Sequence, residues 1–516
     1  MAFMVNCTQL NVQTAYVSSV AANGIPVGND LSGVGTQAAP FLTWDRAVAV
    51  LALGGSDWLN GTALSPTVYQ STTATVISKA MTVRAVAPKG AVLAGVTTAP
   101  AVSIAPTAGS SILLQDIIVD PSRNSGGTGS VAISLASQAT VYSLTPQNTL
   151  VQNWSTFGMT APSGTLNANV RISASAFNGS AVQGGIDIRT LNSGSFQTDT
   201  GTSVVLTAQN LASAGGIYVG ATAVGPTAKI LDTTINVTST VTASNYAYGG
   251  YLANMAGSVI DGDSQNTGTR ATFTVSTNAA EAAGATVATN KAGNSTELPC
   301  DFSVIRNLIV YNYAVGGGWG AALSGESGDR TKQNFLSMAN VDVYGNAQSQ
   351  AAGVHGLFNA NTTDSSITNS RSQTVGIGIV DKLTLRSTLS NLATTDFNSS
   401  GILAKGTTNG TWTNLSATAV AGNGSVPLMH IEADLPGSGT NTTGLSVTGC
   451  TLTNNGALGA IMVYMETGQT ATFANNTYVL ASGTLAAMPF IYQGTAMTPS
   501  QWKATVEPTA TFVGFS

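Results

Sequence analysis

The sequence predicts an all-β solenoid, a stack of coils built from parallel strands. Three observations predict it. Short β-branched runs recur, each leading through Asn or Gly into a second run that contains a Gly pair. One copy is Val170-Arg171-Ile172 to Asn178-Gly179, followed by Gly184-Gly185-Ile186-Asp187-Ile188; another is Ser203-Val204-Val205-Leu206 to Asn210, followed by Gly215-Gly216-Ile217-Tyr218-Val219. The spacing of the copies drifts but stays within the span of one solenoid repeat. Charged residues make up only 8% of 516 residues, while Gly alone numbers 57. That surface of small neutral side chains suits strands far better than helices. A chain this long exceeds one compact core, a limit a solenoid escapes because each coil contacts only its neighbours.

Taken in order, residues 1–80 form an entry and capping segment. Thr14-Ala15-Tyr16-Val17-Ser18 reads as a strand and Asn23 to Gly35 as a turn-rich loop. Thr43 is an N-cap candidate, and Phe41, Trp44, Val48 and Leu51 fall at helical spacing, so a short amphipathic helix is expected to cover the first coil. Residues 81–490 carry the coils, from Met81-Thr82-Val83 and Ser111-Ile112-Leu113-Leu114 onward. At typical repeat lengths this stretch holds on the order of 10–18 coils. Asn at the strand ends suits left-handed bends, and stacked Asn can hydrogen-bond into ladders. Loop insertions are expected near 262–300 and 320–333. Residues 491–516 form a C-terminal cap, with Thr498 and Pro499 marking a helix start.

Several function classes are disfavoured. The formal net charge is −5 and no Lys/Arg cluster occurs, which argues against nucleic-acid binding. No strongly apolar run reaches the length of a membrane span, so membrane insertion is not expected. Cys7, Cys300 and Cys450 are odd in number and widely spaced, and read as buried small hydrophobes rather than a disulfide or zinc set. The first residues lack the basic and apolar regions of a secretory signal.

The opening Tyr16-Val17-Ser18, Gly33-Val34-Gly35-Thr36 and Ala39-Pro40-Phe41-Leu42-Thr43, with the closing Ser500-Gln501-Trp502-Lys503, resembles right-handed parallel β-helix proteins of the pectate-lyase-like superfamily, most of all phage tailspike and fibre proteins. The resemblance implies a right-handed parallel β-helix, a homotrimer, a place in a virion beside other virion proteins, and recognition of host cell-surface polysaccharide. It leaves open a polysaccharide lyase or glycoside hydrolase on the same fold, or a bacterial cell-surface adhesin.

Cleavage would need convergent carboxylates. The candidates are Asp261 with Asp263, which also offer a Ca²⁺ pair, and Glu326 with Asp329 in the charged loop that includes Arg330 and Lys332. Candidate sugar-contacting residues are Asp187 and Arg189, two apart on one strand, together with Tyr248, Tyr251, Tyr313, Trp319 and Arg330. His355 follows a valine and precedes a glycine, but the companion motifs of polygalacturonases are missing, as are those of pectate lyases. His355 and His430 are therefore expected to be structural. His430, Glu432 and Asp434 alternate and are placed to share a face.

Overall fold

A computed structural model describes residues 12–70, 76–95, 99–107, 109–123, 130–161, 164–208, 213–239, 246–278, 281–289, 298–325, 333–434 and 440–515. The chain divides into two compact units, Met1–Ala208 and Gln209–Ser516. Each is a parallel β-helix.

The first unit stacks three parallel ladders. One runs through Val12–Val17, Leu51–Leu59, Met81–Ala85, Ser111–Gln115, Tyr142–Gln147, Leu166–Ile172 and Gly184–Thr198. A second joins Thr67–Gln70, Ala91–Ala94, Ile118–Val119, Leu150–Gln152, Ala176–Val182 and Ser203–Ala208. The third joins Val76–Ile77, Val102–Ile104, Val131–Leu135 and Phe157–Thr160. The coil thus begins well before residue 81. The helix spans Trp44–Val50, with Thr43 accepting a hydrogen bond from the Arg46 N–H. Its buried face is Trp44, Ala47 and Val50, not the Val48 and Leu51 of the expected spacing. Leu51 is already a strand residue, because parallel pairing with Val12 takes over at that point.

In the second unit, one ladder climbs through Ser213–Ala221, Tyr246–Ala253, Glu281–Thr289, Gly318–Gly325, His355–Ala360, Arg371–Lys382, Ala393–Lys405, Pro427–Glu432, Ile461–Met465 and Phe490–Tyr492. Another includes Thr234–Ser239, Ala271–Thr277, Val304–Asn312 and Ser337–Tyr344. The expected insertion at 262–300 therefore contains two rung strands, Ala271–Thr277 and Glu281–Thr289. Their Ala and Thr content suggested a loop, yet Ala271–Thr277 turns Phe273 and Val275 inward and Glu281–Thr289 is buried along almost its whole length. Of the expected insertion at 320–333, Gly320 to Gly325 belongs to a strand and residues 326–332 lie outside the described residues.

Interior stacks hold the rungs together. Ile235, Phe273, Val310 and Val343 occupy one register position in successive coils, and each is essentially buried. Burying each such side chain contributes about 1.5–3 kcal/mol. The C-terminal end is closed by the helix Pro499–Thr505, capped by Thr498 and Gln501. Its Trp502 is fully buried against Phe490 at 4.8 Å between ring centres, and Trp502 Nε1 donates to the buried Glu507.

Two backbone devices set the coil. The first is an asparagine ladder. Asn307, Asn340, Asn369, Asn391 and Asn414 all take φ between 49° and 54°, the left-handed region that Asn tolerates better than most residues. Their amides join rung to rung: Asn340 donates to Asn307 across 33 residues, Asn391 to Asn369 across 22, and Asn414 to Asn391 across 23. Rung length varies while the bend is kept. Asn391→Ala is expected to cost about 1–2 kcal/mol, because alanine at that φ is strained, and Asn391→Gly only a few tenths. Equal losses in chemical melts of the two variants would show that the bend does not set the cost.

The second device is a glycine ladder. Gly216, Gly249, Gly284, Gly320, Gly356, Gly378 and Gly401 stack at one corner. A β-carbon on any of them would come under 3.0 Å from the carbonyl oxygen of the next rung, which is Leu428 after Gly401. Glycine at this register position, which includes Gly216 and Gly249 of two Gly pairs, is therefore a packing requirement.

Candidate functional site

Two outward regions of the second unit gather chemistry. The first lies on Val304–Asn312 and Ser337–Tyr344 with their neighbours. Because strand side chains alternate, burying Val310 and Val343 turns Tyr311 and Tyr344 outward. The two tyrosines pair in register and stack, with ring centres 5.4 Å apart and planes 25° from parallel. Tyr313 extends the row, 5.9 Å from Tyr311. Burial first, then the neighbouring Tyr311, raises the Tyr313 hydroxyl above its ordinary pKa.

Charged groups flank this row. Asp342 is nearly buried and accepts from two arginines, Arg371 Nη2 at 2.8 Å and Arg270 Nη2 at 2.5 Å. The Arg371 guanidinium also lies 5.7 Å from the centre of the Tyr344 ring. Its side chain is 57% exposed. The hydrogen bond that Arg371 donates to Asp342 is the main cause of a raised Arg371 pKa. The product is a half-exposed row of tyrosine rings with centres about 5–6 Å apart, the scale of ring stacking, in which Tyr311 and Tyr344 pack on each other and a guanidinium fork held in place lies along one edge. Tyr313, tilted 41° from Tyr311, keeps aromatic surface suited to the C–H face of a sugar ring, and the fork suits hydroxyl or carboxylate oxygens.

The second region is the outer side of the ladder from Ser213–Ala221 to Phe490–Tyr492. Tyr218 and Tyr251 stack in register, with ring centres 5.1 Å apart and planes 3° from parallel, and Tyr248 meets both edge-on. Further along, Trp319 stacks on Phe358 and donates Nε1 to Thr286 at 2.9 Å. His355 also stacks on Phe358. Burial, followed by the charges of Lys382 and Lys405, lowers the His355 pKa to about 4, so the ring is neutral and packs as an aromatic. Beyond Leu403 the same register position carries His430 and then Tyr464. Glu432 and Glu466 flank His430, and Lys405 pairs with Glu432 at 3.0 Å.

The residues singled out from sequence divide clearly. Tyr313 sits on the exposed platform. Tyr248 and Tyr251 are buried, only 6% and 7% exposed, with their faces spent on each other and on Tyr218. One face of Trp319 is taken by Phe358. In the first unit, Asp187 and Arg189 form a two-pronged ion pair at 2.9 Å, with Asp187 mostly buried. Burial raises the Asp187 pKa against the opposing hydrogen bonds and charge of Arg189.

Asp261 and Asp263 are engaged by donors. Asp261 accepts from Arg306 Nε at 2.7 Å, from Asn307 and from the Asp263 N–H. Asp263 accepts from the N–H groups of Thr267 and Gly268, both at 2.7 Å. Desolvation acts to raise the Asp263 pKa, but these hydrogen bonds outweigh it and hold the carboxyl below the usual range. Glu326, Asp329, Arg330 and Lys332 lie outside the described residues.

Tyr344, Arg270, Asp342 and Arg371 were missed from the sequence. Val341-Asp342-Val343-Tyr344 alternates in a way that marks Asp342 and Tyr344 as outward. No local signal brings Arg270 or Arg371 beside them, because rung lengths differ.

No family model matches the chain, and no curated protein matches it. Among solved structures, the receptor-binding domain of the siphovirus 9NA tailspike is similar over 92% of this chain and 75% of its own length, at 11% identity and a TM-score of 0.31. A likeness that weak carries no argument about function.

Proposed function

We propose that this chain is a glycan-binding spike or fibre protein of a virion. The observation that carries the reading is the Tyr311–Tyr344–Tyr313 row edged by Arg371 and Asp342 on the outside of a parallel β-helix. A rigid repetitive coil suits a shaft, and an aromatic face with fixed polar groups suits an extended neutral or acidic polysaccharide. The resemblance of the entry and closing segments to tailspike proteins adds the virion setting and a homotrimer. Binding is favoured over cleavage at this pair because the Asp261 and Asp263 carboxylates are both engaged by hydrogen-bond donors of the chain itself. Among the described residues, no helix is long and apolar enough to cross a membrane.

The test is binding of the purified chain to a broad panel of bacterial capsular and lipopolysaccharide glycans. At least one glycan is expected to bind. Tyr344→Ala and Arg371→Ala are each expected to weaken it about tenfold, within the range of one stacking or cation–π contact. Tyr251→Phe, at a buried ring, is expected to leave it unchanged. No binding across the panel, or unchanged binding in both platform variants, sinks the reading. Release of oligosaccharides would replace binding with depolymerisation, and a monomer in light scattering would remove the trimer.

A further inference from the structure

His430, Glu432 and Glu466 project from two neighbouring rungs onto the outer side of one ladder, clear of the tyrosine platform. His430 and Glu432 are two apart on Pro427–Glu432, so the pleat turns both outward. Glu466 directly follows Ile461–Met465, the next rung, where Met465 pairs with Ile431. Parallel stacking thus brings an imidazole and two carboxylates together from well-separated parts of the sequence.

The geometry of the three is specific. His430 Nε2 lies 3.6 Å from Glu432 Oε2 and 3.9 Å from Glu466 Oε1, and one ligand atom from each residue fits within 4.8 Å of the others. These separations are too long for hydrogen bonds. His430 Nε2 is accordingly a buried nitrogen with no hydrogen-bond partner, although two carboxylates face it. Such an orphan is costly. The side chains are partly buried, with His430 20%, Glu432 19% and Glu466 39% exposed, so the cluster is desolvated yet reachable.

The surroundings fit the same picture. Lys405 Nζ binds the other oxygen of Glu432, Oε1, at 3.0 Å. That contact orients the carboxylate and leaves Oε2 facing the imidazole. Tyr464 meets the His430 ring edge-on, with ring centres 4.8 Å apart, and restrains its rotation. Lys382 pairs with Asp434 at 3.4 Å. Each candidate ligand therefore has an orienting neighbour or lies at an accessible rung end, which is how side chains around a metal hold its ligands.

We propose that His430 Nε2, Glu432 Oε2 and Glu466 Oε1 form a binding site for a divalent transition-metal ion of the Zn²⁺ class. One nitrogen and two oxygens, with water as the fourth ligand, match the open tetrahedral sites this ion takes. Zinc bonds of about 2.0–2.2 Å in a tetrahedron place ligand atoms about 3.4 Å apart, so the two imidazole–carboxylate spacings of 3.6 and 3.9 Å need little change while the two carboxylate oxygens, within 4.8 Å of one another, close in further by side-chain rotation. Ca²⁺ is a poorer match, because it takes six to eight oxygens and this site offers an imidazole and few carboxylates. In a rung stack, such an ion would bridge neighbouring coils and so stiffen the shaft near its C-terminal end.

The test uses the full chain dialysed against chelator, then titrated calorimetrically with Zn²⁺ and separately with Ca²⁺. Saturable binding of one Zn²⁺ per chain is expected, with Ca²⁺ at least tenfold weaker. His430→Ala and Glu466→Gln should each weaken Zn²⁺ at least tenfold. Glu466 is the most exposed ligand, so its variant is expected to keep the fold, checked by its circular dichroism spectrum. X-ray absorption of the zinc-loaded chain should report one nitrogen and two carboxylate ligands plus water. Absent saturable Zn²⁺ binding, Ca²⁺ binding of equal strength, or wild-type affinity in the Glu466→Gln variant would each overturn the site.

Discussion

Gly284→Val is expected to prevent the second unit from folding, or to destabilise it by more than about 4 kcal/mol, the range reserved for gross steric conflict. A β-carbon at Gly284 would meet both Val310 Cγ1 and the Gly320 carbonyl oxygen at under 3.0 Å. Val310 is fully buried in the interior stack, and the carbonyl belongs to the next rung, so neither can yield. Even Gly284→Ala is expected to cost several kcal/mol. Gly257→Ala is the control. Gly257 has φ of 68° but nothing within 4 Å of the added carbon, so only about 1–2 kcal/mol of backbone strain is expected. Soluble yield and chemical denaturation of the two alanine variants decide the matter. Similar losses would mean that crowding at this corner is not what the glycines serve.

Wild type and Asp57→Asn are expected to differ in how the first unit responds to pH. Asp57 is fully buried on Leu51–Leu59, where Oδ2 accepts from Trp44 Nε1 at 3.2 Å and Oδ1 has no partner. Burial pushes its carboxyl up to about 7, against the opposing Trp44 hydrogen bond and Lys79 charge. The unfolded chain releases this proton near the ordinary value of 3.8. Between about pH 4 and 7 the folded state therefore holds more protons, and stability falls as pH rises through that window. At about 1.4 kcal/mol per pKa unit, the loss amounts to about 4 kcal/mol. Asp57→Asn removes this slope and should melt above wild type at pH 8. Parallel melting-temperature profiles from pH 4 to 8 would show that Asp57 does not titrate in this way.

Much of the coil was legible because its constraints are local. Asn at strand ends predicted left-handed bends, and the asparagine ladder from Asn307 to Asn414 occupies them. Thr498-Pro499 predicted a helix start, and the helix begins there. The strands Ala271–Thr277 and Glu281–Thr289 fall where an insertion is expected, because runs rich in Ala, Ser and Thr look alike in a loop and on a rung. The candidate sites were legible only in part. Period two placed His430 and Glu432 on one face, whereas Glu466 joins them through a rung pairing. Arg371 reaches Tyr344 by the same kind of pairing. With rungs separated by 33 residues in one place and 22 in another, no fixed offset in the sequence predicts either partner.

The glycine ladder also bears on how such a chain avoids mis-threading as it folds. Its rungs are nearly uncharged and much alike, so a strand docking one residue out of step would meet a similar surface and little electrostatic penalty. At the glycine corner such a slip carries a neighbouring side chain, for example Ile217 or Ala285, into a space too small for any β-carbon. The corner thus works as an alignment pin repeated on every rung from Gly216 to Gly401. It supplies the discrimination against wrong registers that sequences richer in charge obtain from their surfaces.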